Sequence, residues 1–244
     1  MRRIYDLFIL TLIMFLFCSG GPFPVVPDAR AEDSFQKVNR FIDFSDYEHG
    51  SVEDWLRDKG FKFERDARDR KKLDLNVGEE GLILEAKRPV FGILANEGVD
   101  LEKFTSIRLE WGILKYPEGV SYEQGIRNEA LMVIVFFGYD KISSGHFLIP
   151  NSPYFIGFFL SEKEMPGKEY VGKYFQKSGR YVCLGNPKPG DTVVSQFDLV
   201  AAFKRNFEKD EVPLISGVAL SIDTTKAGDG GKAASFIRSI EFLE

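Results

Sequence analysis

The stretch "SIRLEWGIL" constrains this chain more than any other. Ile107, Leu109, Trp111 and Ile113 alternate with Arg108, Glu110 and Gly112. A period of two puts the apolar set on one side of an extended strand and the polar set on the other. Such a strand must bury one face against a second layer. Other runs extend the pattern. "ALMVIVFFG" (130–138) and "YFIGFFLS" (154–161) are apolar without alternation, as a strand covered on both faces would be. Gly157 interrupts the second run and marks a bulge or a close approach. "RFIDFSD" (40–46), "RYVCLG", "ISGVALSID" and "ASFIRSIEFL" read as further strands. "KLDLNV" and "GLILEAK" are split by Gly78-Glu79-Glu80-Gly81, a hairpin turn.

Two segments break the strand pattern. "SVEDWLRDKG" (51–60) predicts one or two helical turns, with Ser51 as N-cap, Asp54 at the third helical position and Gly60 ending it. "SQFDLVAAFKRNF" places Leu199, Val200, Phe203 and Phe207 on one helical face. Ser195 is the expected cap, with Asp198 near the positive end. Many short strands and one or two short helices predict an all-β, two-sheet antiparallel β-sandwich, jelly-roll-like and similar to a carbohydrate-binding module. The 23 phenylalanines suit a core between two pleated surfaces.

The N-terminus predicts export. Arg2 and Arg3 precede an apolar run from Leu7 to Cys18, which has the length of a signal-peptide core and falls short of the roughly 20 residues of a bilayer span. Ala29 and Ala31 place the expected cleavage after Ala31, leaving a polar leader (32–39) and a single sandwich domain (40–244). Anchoring through an uncleaved signal or a lipidated Cys18 is the alternative. The expected location is the periplasm or the cell exterior of a bacterium.

Loss of three arginines and two aspartates moves the formal net charge from −5 to −6. A mildly acidic chain has no broad attraction for nucleic acid or anionic lipid. No membrane span is expected after residue 31. Only Cys183 remains after cleavage, so no internal disulfide forms. It reads as a small buried strand residue, because nothing near it in sequence supplies a base for a thiolate.

Chemistry-bearing motifs are sparse. His49 and His146 are the only histidines, and a zinc site would need both to meet Cys183. There is no G-x-S-x-G elbow, P-loop or G-x-G-x-x-G. The E-x-D-x-x-E pattern of concanavalin-like glycosidases is missing. Glu162 and Glu164 lie in "LSEKEMPGKEY", which reads as a solvated turn. No cofactor is expected. Calcium is the one metal raised, by Asp223 and Asp229 in "SIDTTKAGDGGKAASF". That loop lacks the spacing of a six-oxygen site and reads as a connection. Trp111 shares a face with three aliphatics and is expected in the core. Tyr116 and Tyr122, in the loop "KYPEGVSYEQG", are the tyrosines best placed to stack on a ligand.

Three stretches, "NEALMVIVFFGYD", "RYVCLGNPKPGDTVVSQFDLVAAFKRNF" and "PLISGVALSIDTTKAGDGGKAASFIRSIEFL", resemble the exported bacterial family catalogued as domain of unknown function three-zero-four-seven. They cover residues 128 to 243 with gaps. That family shows two acids where this chain has Asn128 and Glu129, and Asp-Thr-Asp where it has Asp223-Thr224-Thr225. The resemblance implies a sandwich and export. It carries no established activity, and it makes Glu129 and Asp223 the candidates for a polar site. The expected function is a non-catalytic binding or accessory protein whose partner is a glycan or another envelope component. One alternative is a carbohydrate-active hydrolase using acids such as Glu110, Glu129 or Asp223. A second is a structural envelope protein with a protein partner, marked by one large apolar patch.

Overall fold

The computed structural model describes residues 36–244. The expected signal segment, the bond after Ala31 and Cys18 lie outside the described residues. The elements run in the order β1 (Val38–Asp43), α1 (Val52–Asp58), β2 (Lys62–Arg65), a 3-10 turn (Asp66–Arg68), β3 (Leu73–Gly78), β4 (Gly81–Ala86), β5 (Phe91–Asn96), β6 (Ser106–Lys115), β7 (Glu129–Ile142), β8 (Ser152–Leu160), β9 (Glu169–Tyr170), β10 (Gly179–Gly185), β11 (Thr192–Asp198), α2 (Leu199–Phe207), β12 (Ile215–Asp223) and β13 (Ala233–Leu243). The first strand takes up the last two residues of the expected leader, Val38 and Asn39.

The strands form two sheets. One is six-stranded, in the order β11-β6-β13-β4-β3, with β1 also paired to β13. The other is seven-stranded, in the order β2-β5-β12-β7-β8-β10-β9. Their inner faces meet in one core that draws Leu84, Leu109, Trp111 and Ile237 from the first sheet and Leu94, Val133, Phe158 and Leu220 from the second. The fold is therefore a two-sheet, jelly-roll-like β-sandwich. Alternation assigned the faces of β6 correctly: Ile107, Leu109, Trp111 and Ile113 are wholly buried. One pairing departs from the antiparallel expectation. β8 and β10 run parallel, because the chain between them crosses back before re-entering the sheet, as a parallel pair requires.

β13 is the seam of the six-stranded sheet. One edge pairs with β6 along nearly its whole length. The other is shared, Ala233–Ile237 pairing with β4 and Ser239–Leu243 with β1.

The two helices close the sandwich. α1 is capped by Ser51, whose hydroxyl accepts from the Asp54 amide at 3.3 Å. It buries Leu56, and Trp55 meets Phe44 edge-on at 6.3 Å. α2 is shorter than expected. Residues 195–198 belong to β11, and Asp198 is the cap, accepting from the Ala201 amide at 2.8 Å. Ser195 cannot serve, because its hydroxyl accepts the indole N–H of Trp111 at 3.1 Å across the β11–β6 pair. α2 sets Phe203 against Phe137 at 4.9 Å and Tyr154 at 5.4 Å, and Phe207 against Tyr154 at 4.7 Å.

Candidate functional site

The outer face of the seven-stranded sheet carries a second, smaller apolar cluster. Tyr122, Met132, Phe159, Tyr170 and Cys183 are buried there, with Ile134 and Tyr181 packed against them. This explains why β7 and β8 lack alternation: both of their faces are covered. Gly157 is needed for it, since a Cβ there would lie 2.6 Å from the Met132 sulfur.

The register lays this face out in rows. Phe91, Asp223 and Glu129 are cross-strand partners. Beside them run Ile93, Ser221, Met132 and Phe159, and next Ala95, Ala219, Ile134, Gly157 and Tyr181. Directly opposed Cα atoms in an antiparallel pair lie about 4.5–5.5 Å apart, so the first row brings two carboxylates next to each other beside an aromatic ring.

Glu129 is 6% exposed. Its Oε2 accepts the Tyr122 hydroxyl at 2.8 Å, and Tyr122 stacks on Phe159 with centroids 4.0 Å apart and planes 11° from parallel. Burial, and then the negative charge of Asp223, hold the Glu129 carboxyl well above the usual glutamate range; the Tyr122 hydrogen bond and the Arg127 charge oppose this only in part. Ionising Glu129 here is therefore harder than ionising a glutamate in water, and its carboxyl is engaged by Tyr122 rather than turned to solvent. Asp223 is half-buried. Its Oδ1 accepts from the Thr225 amide at 2.9 Å and hydroxyl at 2.7 Å.

Arg127 covers one flank. Its Nη2 donates to the Val171 carbonyl at 2.7 Å, and its guanidinium lies 5.8 Å from the Tyr181 ring centroid. Its buried Nε has no partner. Burial pushes the Tyr181 hydroxyl up to about 12. Asn128 ties the C-terminal loop to the site by accepting from the Lys226 amide at 2.7 Å.

Three of the four sequence candidates, Tyr116, Tyr122 and Glu129, line one cleft of about 30 Å³ together with Asn128, Phe159 and Glu162. That is room for one or two waters. The fourth, Asp223, is the strand partner of Glu129. The two tyrosines are not the free loop rings expected. Tyr122 is 3% exposed, and Tyr116 is half-buried with its hydroxyl donating to the Pro187 carbonyl at 2.8 Å. They build the wall of the site.

Glu164 departs further from expectation. It is buried, 2% exposed, and accepts from the Tyr122 amide at 2.8 Å and from the Ser161 hydroxyl. Instead of lying in a solvated turn it fixes the Tyr122 loop against the sheet. Glu110 sits on the other sheet, 3.8 Å from Arg238, and points away from a core that holds Leu109 and Trp111. It cannot converge with Glu129. Phe91 was missed, because "VFGILAN" holds no motif; only the register places it beside the acids.

The loop joining β12 to β13 crosses between the two sheets and divides its acids. Asp229 pairs with Lys115 at 2.6 Å while Asp223 binds Thr225. Among the described residues, no three of His, Cys, Asp and Glu are grouped to hold a metal, and no helix is long and apolar enough to cross a membrane. Cys183 is buried, its thiol pushed up by burial.

No family model matches the chain. No curated protein matches it. Among solved structures it is similar to the "Loop Swap mutant of Necallimastix patriciarum Xyn11A", at 12% identity and a TM-score of 0.31, over 84% of this chain and 96% of that one.

Proposed function

We propose that this chain is an exported, non-catalytic binding protein that recognises a glycan on the outer face of its seven-stranded sheet. The observation that carries this reading is the row Phe91–Asp223–Glu129. A sugar presents an apolar ring face and a rim of hydroxyls. Phe91 is half-exposed and suits the ring face. Asp223 accepts from hydroxyls, and buried Glu129 fixes Tyr122 beside it. Half-exposed Ile93, Ala95, Ile134 and Phe136 extend the apolar floor along the adjoining rows. The burial of Glu129 favours binding over catalysis, since a general acid must reach the departing oxygen. The resemblance to the exported family of unknown function agrees with an envelope role.

The test is a glycan array followed by titration calorimetry against the best saccharide. Phe91→Ala and Asp223→Asn are each expected to weaken binding about tenfold or more, roughly 1.4 kcal/mol. An array without a hit, or a hit indifferent to both substitutions, defeats the reading.

One observation favours a second reading, a carbohydrate-active hydrolase. Two neighbouring carboxyls, one of them buried and held above the ordinary glutamate range, are the kind of equipment that glycoside cleavage uses. It predicts release of reducing ends from the bound glycan, abolished in Glu129→Gln. Binding without release leaves the first reading standing alone.

A further inference from the structure

The β7–β8 loop ends in the most exposed large apolar side chains of the described chain. Phe147 is 90% exposed and Leu148 is 72% exposed. The loop around them is tied down. The buried Ser144 hydroxyl shares its one hydrogen between the carbonyls of His146 and Ile149, at 2.9 and 2.7 Å. The Ser144 amide donates to Asn151 Oδ1 at 3.3 Å and the Ile149 amide to the His146 carbonyl at 3.1 Å. A hydrogen-bonded loop that turns two apolar side chains to water sacrifices burial that a slack loop would recover.

A second segment, 172–178, braces the first. The Phe175 amide donates to the Ser144 carbonyl at 2.9 Å. His146 stacks on Phe147 at 5.2 Å and meets Tyr174 edge-on at 5.5 Å. The exposed charges on these two segments are Lys173 and Lys177, and Asp140 and Lys141 offset each other at the end of β7. The tip therefore bears a local positive excess on a chain whose formal net charge is −5.

We infer that the Phe147–Leu148 tip is a contact for the surface of an anionic lipid bilayer. Charge complementarity selects this occupant. Two apolar side chains enter the headgroup region, and Lys173 and Lys177 meet the negative surface around them. Either part alone gives a marginal contact, and the pair gives a weak reversible one. This inference does not depend on the glycan reading, whose row Phe91–Asp223–Glu129 includes neither the tip nor its lysines.

The experiment uses the full chain carrying Leu148→Cys and Cys18→Ser, labelled at residue 148 with an environment-sensitive fluorophore. Thr192→Cys, in an exposed strand end, is the control position. Vesicles are phosphatidylcholine alone or phosphatidylcholine with phosphatidylglycerol. The expected result is a blue shift at residue 148 and none at 192, with the anionic vesicles only. Phe147→Ser should weaken the response about tenfold, and each of Lys173→Glu and Lys177→Glu about fivefold or more. Because the reporter sits on the tip, attachment through the N-terminal apolar run does not mimic it. The inference is overturned by no shift at residue 148, by an equal shift on neutral vesicles, or by a shift that rises with protein concentration without lipid, which would mean self-association.

Discussion

At the scale of single residues, Glu129 decides most. Its folded carboxyl binds a proton more tightly than the unfolded chain's, so this group favours the folded state least at neutral pH. Below the ordinary glutamate value of about 4.5 both states are protonated, and the difference vanishes. As pH rises from there, the unfolded chain ionises first and stability falls. Glu129→Gln keeps an acceptor for the Tyr122 hydroxyl and removes the titration. It should stabilise the protein by about 1–3 kcal/mol at neutral pH, with the gain shrinking to nothing near the ordinary glutamate value. Urea titrations of both proteins across that range provide the measurement, and a gain that grows with acid would show the sign to be wrong. Sequence reasoning raised Asp223 from its loop and set it beside Glu129 as a candidate only through a resemblance. It could not find their adjacency, because strand register depends on side chains far apart in the chain.

At the scale of elements, alternation was the reliable signal and continuous apolar runs the ambiguous one. β6 could be assigned face by face because water covers its polar side. β7 and β8 could be recognised as doubly covered, but nothing in "ALMVIVFFG" says that Tyr122 and Tyr170 supply the cover. The start of α2 was misplaced for a related reason. Ser195 and Asp198 are both acceptable caps, and the β11–β6 pairing, with the Trp111 indole on Ser195, decides between them. Asp198→Ala should therefore cost about 0.5–2 kcal/mol, whereas a Ser195 substitution acts through the β11–β6 pair. Chemical denaturation of Asp198→Ala tests this; an unchanged midpoint would mean that the helix start is held by tertiary packing alone.

At the scale of the whole molecule, the sandwich was legible because so many short strands with so little helix leave few other ways to hide so many apolar side chains. The division of strands between sheets was not legible, since nearly every pairing is long-range. β13 shows what this means for stability. It alone joins β6, β4 and β1, so ending the chain at residue 232 should abolish cooperative unfolding. Circular dichroism with a urea titration reads this directly, and a sharp transition in the shortened chain would contradict it. The same strand governs timing. β13 follows in sequence every partner it unites, so a chain threading amino end first through a narrow channel emerges with β11–β6, β3–β4 and β1 as three orphan pieces. The six-stranded sheet stays open until the eleven-residue β13 clears, and only then can it close.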